Sequence, residues 1–262
     1  MMSIGRGRGR GRGWAQCDKD PLSKPGKLLC SEDIDFANLI NIIDHITVEN
    51  LEEQTKKFAQ LCTEDHYEEI NDKLYEHAVN NREFGMKIIL LYYKNLTFKS
   101  SLWKLLISKM QNQYDRRIEL REETTTMQFC NIVSLFSRFV YVLSFGDLFR
   151  KLQLALLDYM EMLLETASPE EIETFTEQII VHGKHIYRNC KEEMDKLMVI
   201  SRQILIEKDL PLVSRQMLLY AIDLVNHNFE PLPKNLQEFY ELRLDKNFIQ
   251  NSIPVLCLGN DK

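Results

Sequence analysis

The stretch MQFCNIVSLFSRFVYVLSF, Met127–Phe145, decides the fold. Phe129, Ile132, Val133, Leu135, Phe136, Phe139, Val140, Val142 and Leu143 leave almost no polar side on a helix, so this segment is expected to be surrounded by other helices as the central core element. Outward from it the apolar residues keep helical spacing. Toward the N-terminus the stripes are Phe36, Leu39, Ile40 and Ile43; Val48, Leu51, Phe58 and Cys62; Tyr67, Ile70, Leu74 and Ala78; and Ile88, Leu91 and Tyr92. A long fifth helix is expected over 100–122, carrying Leu102, Leu106, Met110 and Tyr114. Toward the C-terminus come Leu152, Leu156, Tyr159 and Leu163, then a helix whose start is written in Ser168-Pro169-Glu170-Glu171. There the serine is the N-cap, the proline takes the first helical position and the glutamate at the third position closes the reciprocal cap. Ile172, Phe175, Ile179 and Ile186 form its stripe, Met194, Leu197, Met198 and Leu205 mark the next helix, and Pro211 opens the last, with Leu218, Ala221, Ile222 and Val225 inward.

About ten helices with short connections favour antiparallel neighbours, and so an all-α, HEAT-like stack of about five helical hairpins, with a compact bundle as the structural alternative. Turn residues argue the same way. Of ten glycines, only Gly85, Gly146, Gly183 and Gly259 lie beyond Gly26, and Pro169 and Pro211 stand alone between Gly26 and Pro231. That is too few for the hairpins of a β-sandwich or the glycine-rich turns of a nucleotide-binding sheet.

The 262 residues, 44% apolar and 27% charged, suffice for a substantial core and exclude wholesale disorder. Three regions are expected: a disordered basic Arg/Gly arm over 1–30, a helical-repeat domain over 31–230, and a mostly extended tail over 231–262 with a short helix around Leu236 to Leu244. Charge divides the same way. Residues 1–27 carry seven Lys/Arg against two Asp/Glu, so the formal −6 of the chain leaves −11 on the rest. Six dispersed cysteines without a C-x-x-C pair read as reduced thiols of a cytoplasmic protein, with the nucleus as a second compartment. No signal peptide is expected from an Arg/Gly start. The longest apolar run, Ile88 to Tyr93, is far short of the roughly 20 residues of a membrane span.

Signs of catalysis are few, and neither a catalytic set, a cofactor nor a metal is expected. No P-loop occurs, and the strict Gly–Arg alternation puts arginine where a dinucleotide fingerprint needs its last glycine. No nucleophile sits in a glycine-bracketed elbow. His182 and His185 lie three apart near Cys190, a metal-like spacing that no further ligand completes, so they read as a surface helix face. Glu52-Glu53, Glu68-Glu69 and Glu170-Glu171 are adjacent pairs whose side chains diverge by about 100° on a helix, as solvated helix starts do.

The clearest functional signal is Gly5 to Trp14, GRGRGRGRGW. Arg6, Arg8, Arg10 and Arg12 on a glycine backbone suit phosphates and unpaired bases, and Trp14 adds a stacking face. Such runs are also substrates for arginine methylation, read by aromatic cages. RNA affinity from four arginines is expected to be weak and salt-sensitive. A secondary basic strip is read at Lys109, Arg116, Arg117 and Arg121, with Lys99 and Lys104 alongside. Asp115, Glu119, Glu122 and Glu123 interleave with it, which favours a salt-bridged solvent face.

Taken in order, three segments resemble the middle domain of eukaryotic translation initiation factor 4 gamma: Ile46-Thr47-Val48-Glu49-Asn50-Leu51, Leu105 to Tyr114 (LLISKMQNQY), and Phe129 to Phe136 (FCNIVSLF). The family's pattern has an I-T-x-E-x-[FL] helix start, an L-L-x-x-x-Q-x-x-[FY] helix and an F-x-x-x-x-x-L-[FY] core helix; the first and third segments fit it, and the second fits over Leu106 to Tyr114 with Ile107 at the second leucine. Gly183 and the run Val213 to Leu219 leading to Asp223-Leu224 are similar to its last two hairpins, so the resemblance spans roughly residues 34–230. Gln113 to Arg121 is most similar to the short single-domain members, among them the partner of the histone stem-loop-binding protein and the nuclear-cap-binding-complex-dependent initiation factor. More distant is the poly(A)-binding-protein-interacting protein, whose N-terminus is also Arg/Gly-rich. The resemblance implies a helical crescent that scaffolds translation initiation or other mRNA-binding proteins without catalysis, and a homodimer is a further implication. The family often closes with L-R-x-x-W where this chain has Val225-Asn226-His227-Asn228-Phe229, so its last surface and its docking of a DEAD-box helicase are not carried over. The contrasting reading is an unrelated helical-repeat interaction module whose arm binds a methyl-arginine reader and which has no role in translation.

Overall fold

The computed structural model describes residues 35–95, 101–143, 148–245 and 248. The described residues are α-helical throughout apart from turns, with no strand among them. The helices are α1 (Phe36–Asp44), α2 (Leu51–Leu61), α3 (Tyr67–Asn80), α4 (Arg82–Asn95), α5 (Ser101–Asp115), α6 (Arg117–Glu123), α7 (Thr126–Val142), α8 (Leu148–Thr166), α9 (Pro169–Asn189), α10 (Lys191–Glu207), α11 (Leu212–Asn226) and α12 (Lys234–Glu241). A short 3-10 turn, Glu64–His66, precedes α3.

Neighbours in sequence pack on each other, α1 with α2, α3 with α4, α7 with α8, α9 with α10 and α10 with α11, as antiparallel hairpins joined by short turns must. The hairpins stack in two layers. One runs α2, α4, α7, α9, α11; in the other, α3 packs on α5 and α8 on α10. The result is an all-α, HEAT-like stack of helical hairpins.

At the centre α7 touches α3, α4, α6, α8 and α9, and 13 of its 17 residues are buried. Its start is fixed by a capping box in which Thr125 accepts from the Gln128 N–H and Gln128 reaches back to the Thr125 N–H. Aromatic rings then tie the layers: Tyr159 of α8 lies 5.2 Å from Phe136 of α7 and 5.9 Å from Tyr114 of α5, centroid to centroid. The Ser168 cap forms as its sequence implies, with Pro169 at the first turn and Glu171 returning to the Ser168 N–H at 2.9 Å.

Several expectations need correction. The long fifth helix is two helices, broken at Arg116 (φ −98°, ψ 17°), and the Arg117 guanidinium donates to the Tyr114 carbonyl at the break. The break turns α6 so that Arg121 reaches Glu171 of α9. Val48 belongs to the turn before α2 and is 54% exposed, and α10 buries Ile204 more deeply than Leu205. The short helix of the tail lies over Lys234–Glu241, and the residues around it are packed: Leu232, Tyr240 and Leu244 join Tyr220 in a core flanked by Ile180, Met217 and Leu224. Among the described residues no helix is long and apolar enough to cross a membrane.

Candidate functional site

The strip read as basic lies on α5, α6 and the turn between them, and each of its four cations has a carboxylate partner. Lys109 Nζ is 2.8 Å from Asp72 of α3. Arg116 holds Glu119 at 2.8 Å and Glu123 at 3.2 Å, carboxylates that raise its pKa further above the usual arginine value. Arg117 lies over the Tyr114 ring at 4.4 Å and 3.7 Å from Asp158 of α8, whose carboxylate also accepts from the Tyr114 hydroxyl. Arg121 pairs with Glu171, which is fully buried, donates to Thr166 Oγ1 at 3.3 Å and covers the Phe129 ring at 4.8 Å. A buried carboxylate needs such a partner, so Arg121 is committed to the fold.

Satisfying these arginines internally leaves the face beside them acidic. Between α6 and α8 lies a groove of about 490 Å³, walled by Ile118 and floored by Met162. The carboxylates of Glu122, Glu161 and Glu165 line it and pair with no cation among the described residues. A second groove, about 220 Å³, runs between α8 and α10 and shares Glu161 and Glu165 with the first. Its lysine, Lys208, is spent on the carbonyls of Glu165 and Thr166 at 2.6 and 2.9 Å, at the negative end of the α8 dipole. Sequence reasoning missed this surface. Its local signal was the spacing of Asp158, Glu161 and Glu165 at three and four residues on one helix face.

Four of the six histidines bond or pack within the fold. His182, read as a surface residue, is in fact buried against α7: the Tyr141 ring meets it edge-on at 6.1 Å, and its Nε2 is 2.8 Å from Ser137 Oγ. Burial first, and then the nearby His185 and Arg138, push its pKa down to about 3, so the ring is neutral near pH 7. His185 is exposed on the next turn of α9. This Ser–His contact is sealed from solvent, whereas a nucleophile must meet its substrate. His45 and His227 bond backbone carbonyls of their own helices, and His77 meets the Phe84 ring edge-on at 4.4 Å. Among the described residues no three His, Cys, Asp or Glu side chains gather to hold a metal.

The adjacent acids do not converge either: Glu52 and Glu53 pair separately with Lys56 and Lys57, four residues on. Cys62, Cys130 and Cys190 are free, and burial pushes each thiol up, Cys62 to about 12, which keeps them protonated and poorly nucleophilic. Arg6, Arg8, Arg10, Arg12 and Trp14 lie outside the described residues. No family model matches the chain, and no curated protein is similar enough in sequence to be matched to it.

Proposed function

We propose that the protein is a non-catalytic adaptor in mRNA translation or mRNA metabolism. Its helical stack binds an mRNA-associated or translation initiation protein, and its Arg/Gly arm contributes RNA contact or methyl-arginine-dependent docking. The reading is carried by one observation: the segments that resemble the middle domain of initiation factor 4 gamma fall in chain order on separate helices of one stack. Ile46 to Leu51 leads into α2, Leu105 to Tyr114 lies in α5, Phe129 to Phe136 is the heart of α7, and Val213 to Leu219 lies in α11. A stack of hairpins offers long faces and few enclosed sites, which suits docking better than chemistry. The buried, protonated thiols suit a reducing compartment, cytoplasm or nucleus.

The test is recovery of partners from native extract with the tagged chain, with and without ribonuclease, beside a chain lacking residues 2–27. Initiation factors, cap-binding proteins or messenger-binding proteins that stay bound after ribonuclease are the expected result. Their absence from both samples overturns the translation role and leaves a helical-repeat module with an Arg/Gly arm.

A further inference from the structure

We propose that the groove between α6 and α8 is a docking site for a basic amphipathic helix of a partner protein, one that sets Lys or Arg beside an apolar side chain; this deepens the adaptor reading and rests on it. The groove measures about 490 Å³, enough for a few large side chains. Its apolar elements are Met162 on the floor and Ile118 on the wall, and Ile118 is 66% exposed on a helix that buries none of its residues and is tied to α9 through Arg121. Its polar rim is acidic on balance. Arg117 and Arg121 border it, but their charges are matched by Asp158 and Glu171 within the fold. Glu122, Glu161 and Glu165 have no such match among the described residues.

Glu161 and Glu165 stand at i and i+4 on α8, where like charges repel and weaken a helix. Folding gains nothing from that placement, whereas a cationic ligand does. The arginines that border the same groove, Arg117 and Arg121, pair with Asp158 and Glu171 instead. The same two glutamates also border the α8/α10 groove, where Glu207 adds another carboxylate and Lys208 is tied to the end of α8. Acidic charge thus extends over both sides of the α8 ridge. A cationic side chain meets unpaired carboxylates here, its aliphatic stem lies along Ile118, and an apolar neighbour covers Met162. Phosphate meets a net negative field on the same face, so an RNA backbone is the wrong ligand for it.

The experiment titrates the whole chain into a labelled synthetic Leu/Lys amphipathic helix and reads fluorescence anisotropy. A scrambled Leu/Lys peptide, a Leu/Glu helix of the same pattern and poly(U) serve as comparators. E161Q/E165Q is expected to weaken binding of the Leu/Lys helix about tenfold and to flatten its salt dependence. It should keep or raise the thermal midpoint, since a repulsion is removed. Ile118→Ser is expected to weaken binding without altering the salt dependence. E52Q/E53Q, on α2, should leave it unchanged. Equal affinity of E161Q/E165Q and E52Q/E53Q overturns the proposal, as does equal affinity for the scrambled peptide. Failure of the adaptor reading looks different. A chain that binds the probe through Glu161 and Glu165 but recovers no mRNA-associated protein keeps the docking site and loses the translation role. Recovery of such proteins unaffected by E161Q/E165Q, with no probe binding, does the reverse.

Discussion

Gly183 and Phe229 meet across 46 residues of sequence. A Cβ at position 183 would lie 2.3 Å from the Phe229 ring, and Phe229 is brought there by a turn in which both Asn228 and Phe229 take positive φ. Gly183→Ala should therefore displace the ring and lower stability in the wild type. In a Phe229→Ala background it should raise stability by about 1 kcal/mol, because alanine is then simply the better helix former. A double-mutant cycle in urea measures the change of sign. His182 gives a second test. Its folded pKa of about 3 lies below the unfolded value, so its contribution is fully present above about pH 6.5 and is lost as pH falls toward 3. Unfolding free energy should decline by up to about 1.4 kcal/mol per pH unit across that window, and His182→Gln should flatten the slope by about one proton. Arg121→Ala strands the buried Glu171 carboxylate and should cost about 3 kcal/mol, whereas loss of the exposed Arg116 should leave the unfolding midpoint unchanged.

At the scale of elements, what could be read from sequence depended on how local the cause was. Ser168-Pro169-Glu170-Glu171 carries its own cap, so the start of α9 was legible, and the uniform apolarity of Met127–Phe145 placed α7 at the centre. Thr125 and Gln128 form an equivalent box, readable from the same spacing rule but passed over. The break at Arg116 was not legible, because Asp115-Arg116-Arg117 holds neither glycine nor proline and the cause lies in distant carboxylates: Asp158 is 41 positions from Arg117, and Glu171 is 50 from Arg121. The same distance hid the partners of the basic strip and hence the acidic groove beside it. α12 was legible as a helix but not as a packed one, since its fit to α11 depends on the Tyr240 hydroxyl reaching Asp223 at 2.6 Å and on rings of Tyr220 and Tyr240 with centroids 4.8 Å apart. Tyr240→Ala should cost about 3 kcal/mol in chemical unfolding, while Leu242→Ala, two positions on and 82% exposed, should cost nothing measurable.

At the scale of the whole molecule, charge is divided between arm and body. The body carries the negative balance and commits the cations of its predicted strip to internal pairs, while the arm concentrates arginine on a glycine backbone. RNA binding should then belong to the arm alone. The direct measurement is the salt dependence of single-stranded RNA binding by the whole chain, compared with a chain carrying Arg6→Ala, Arg8→Ala, Arg10→Ala and Arg12→Ala together, and with one carrying Lys109→Ala, Arg116→Ala and Arg117→Ala. At about −0.7 per phosphate contact, four arginines predict a log–log slope of about −3, abolished in the arm variant and unchanged in the strip variant. Binding that survives in the arm variant and falls in the strip variant would contradict the account.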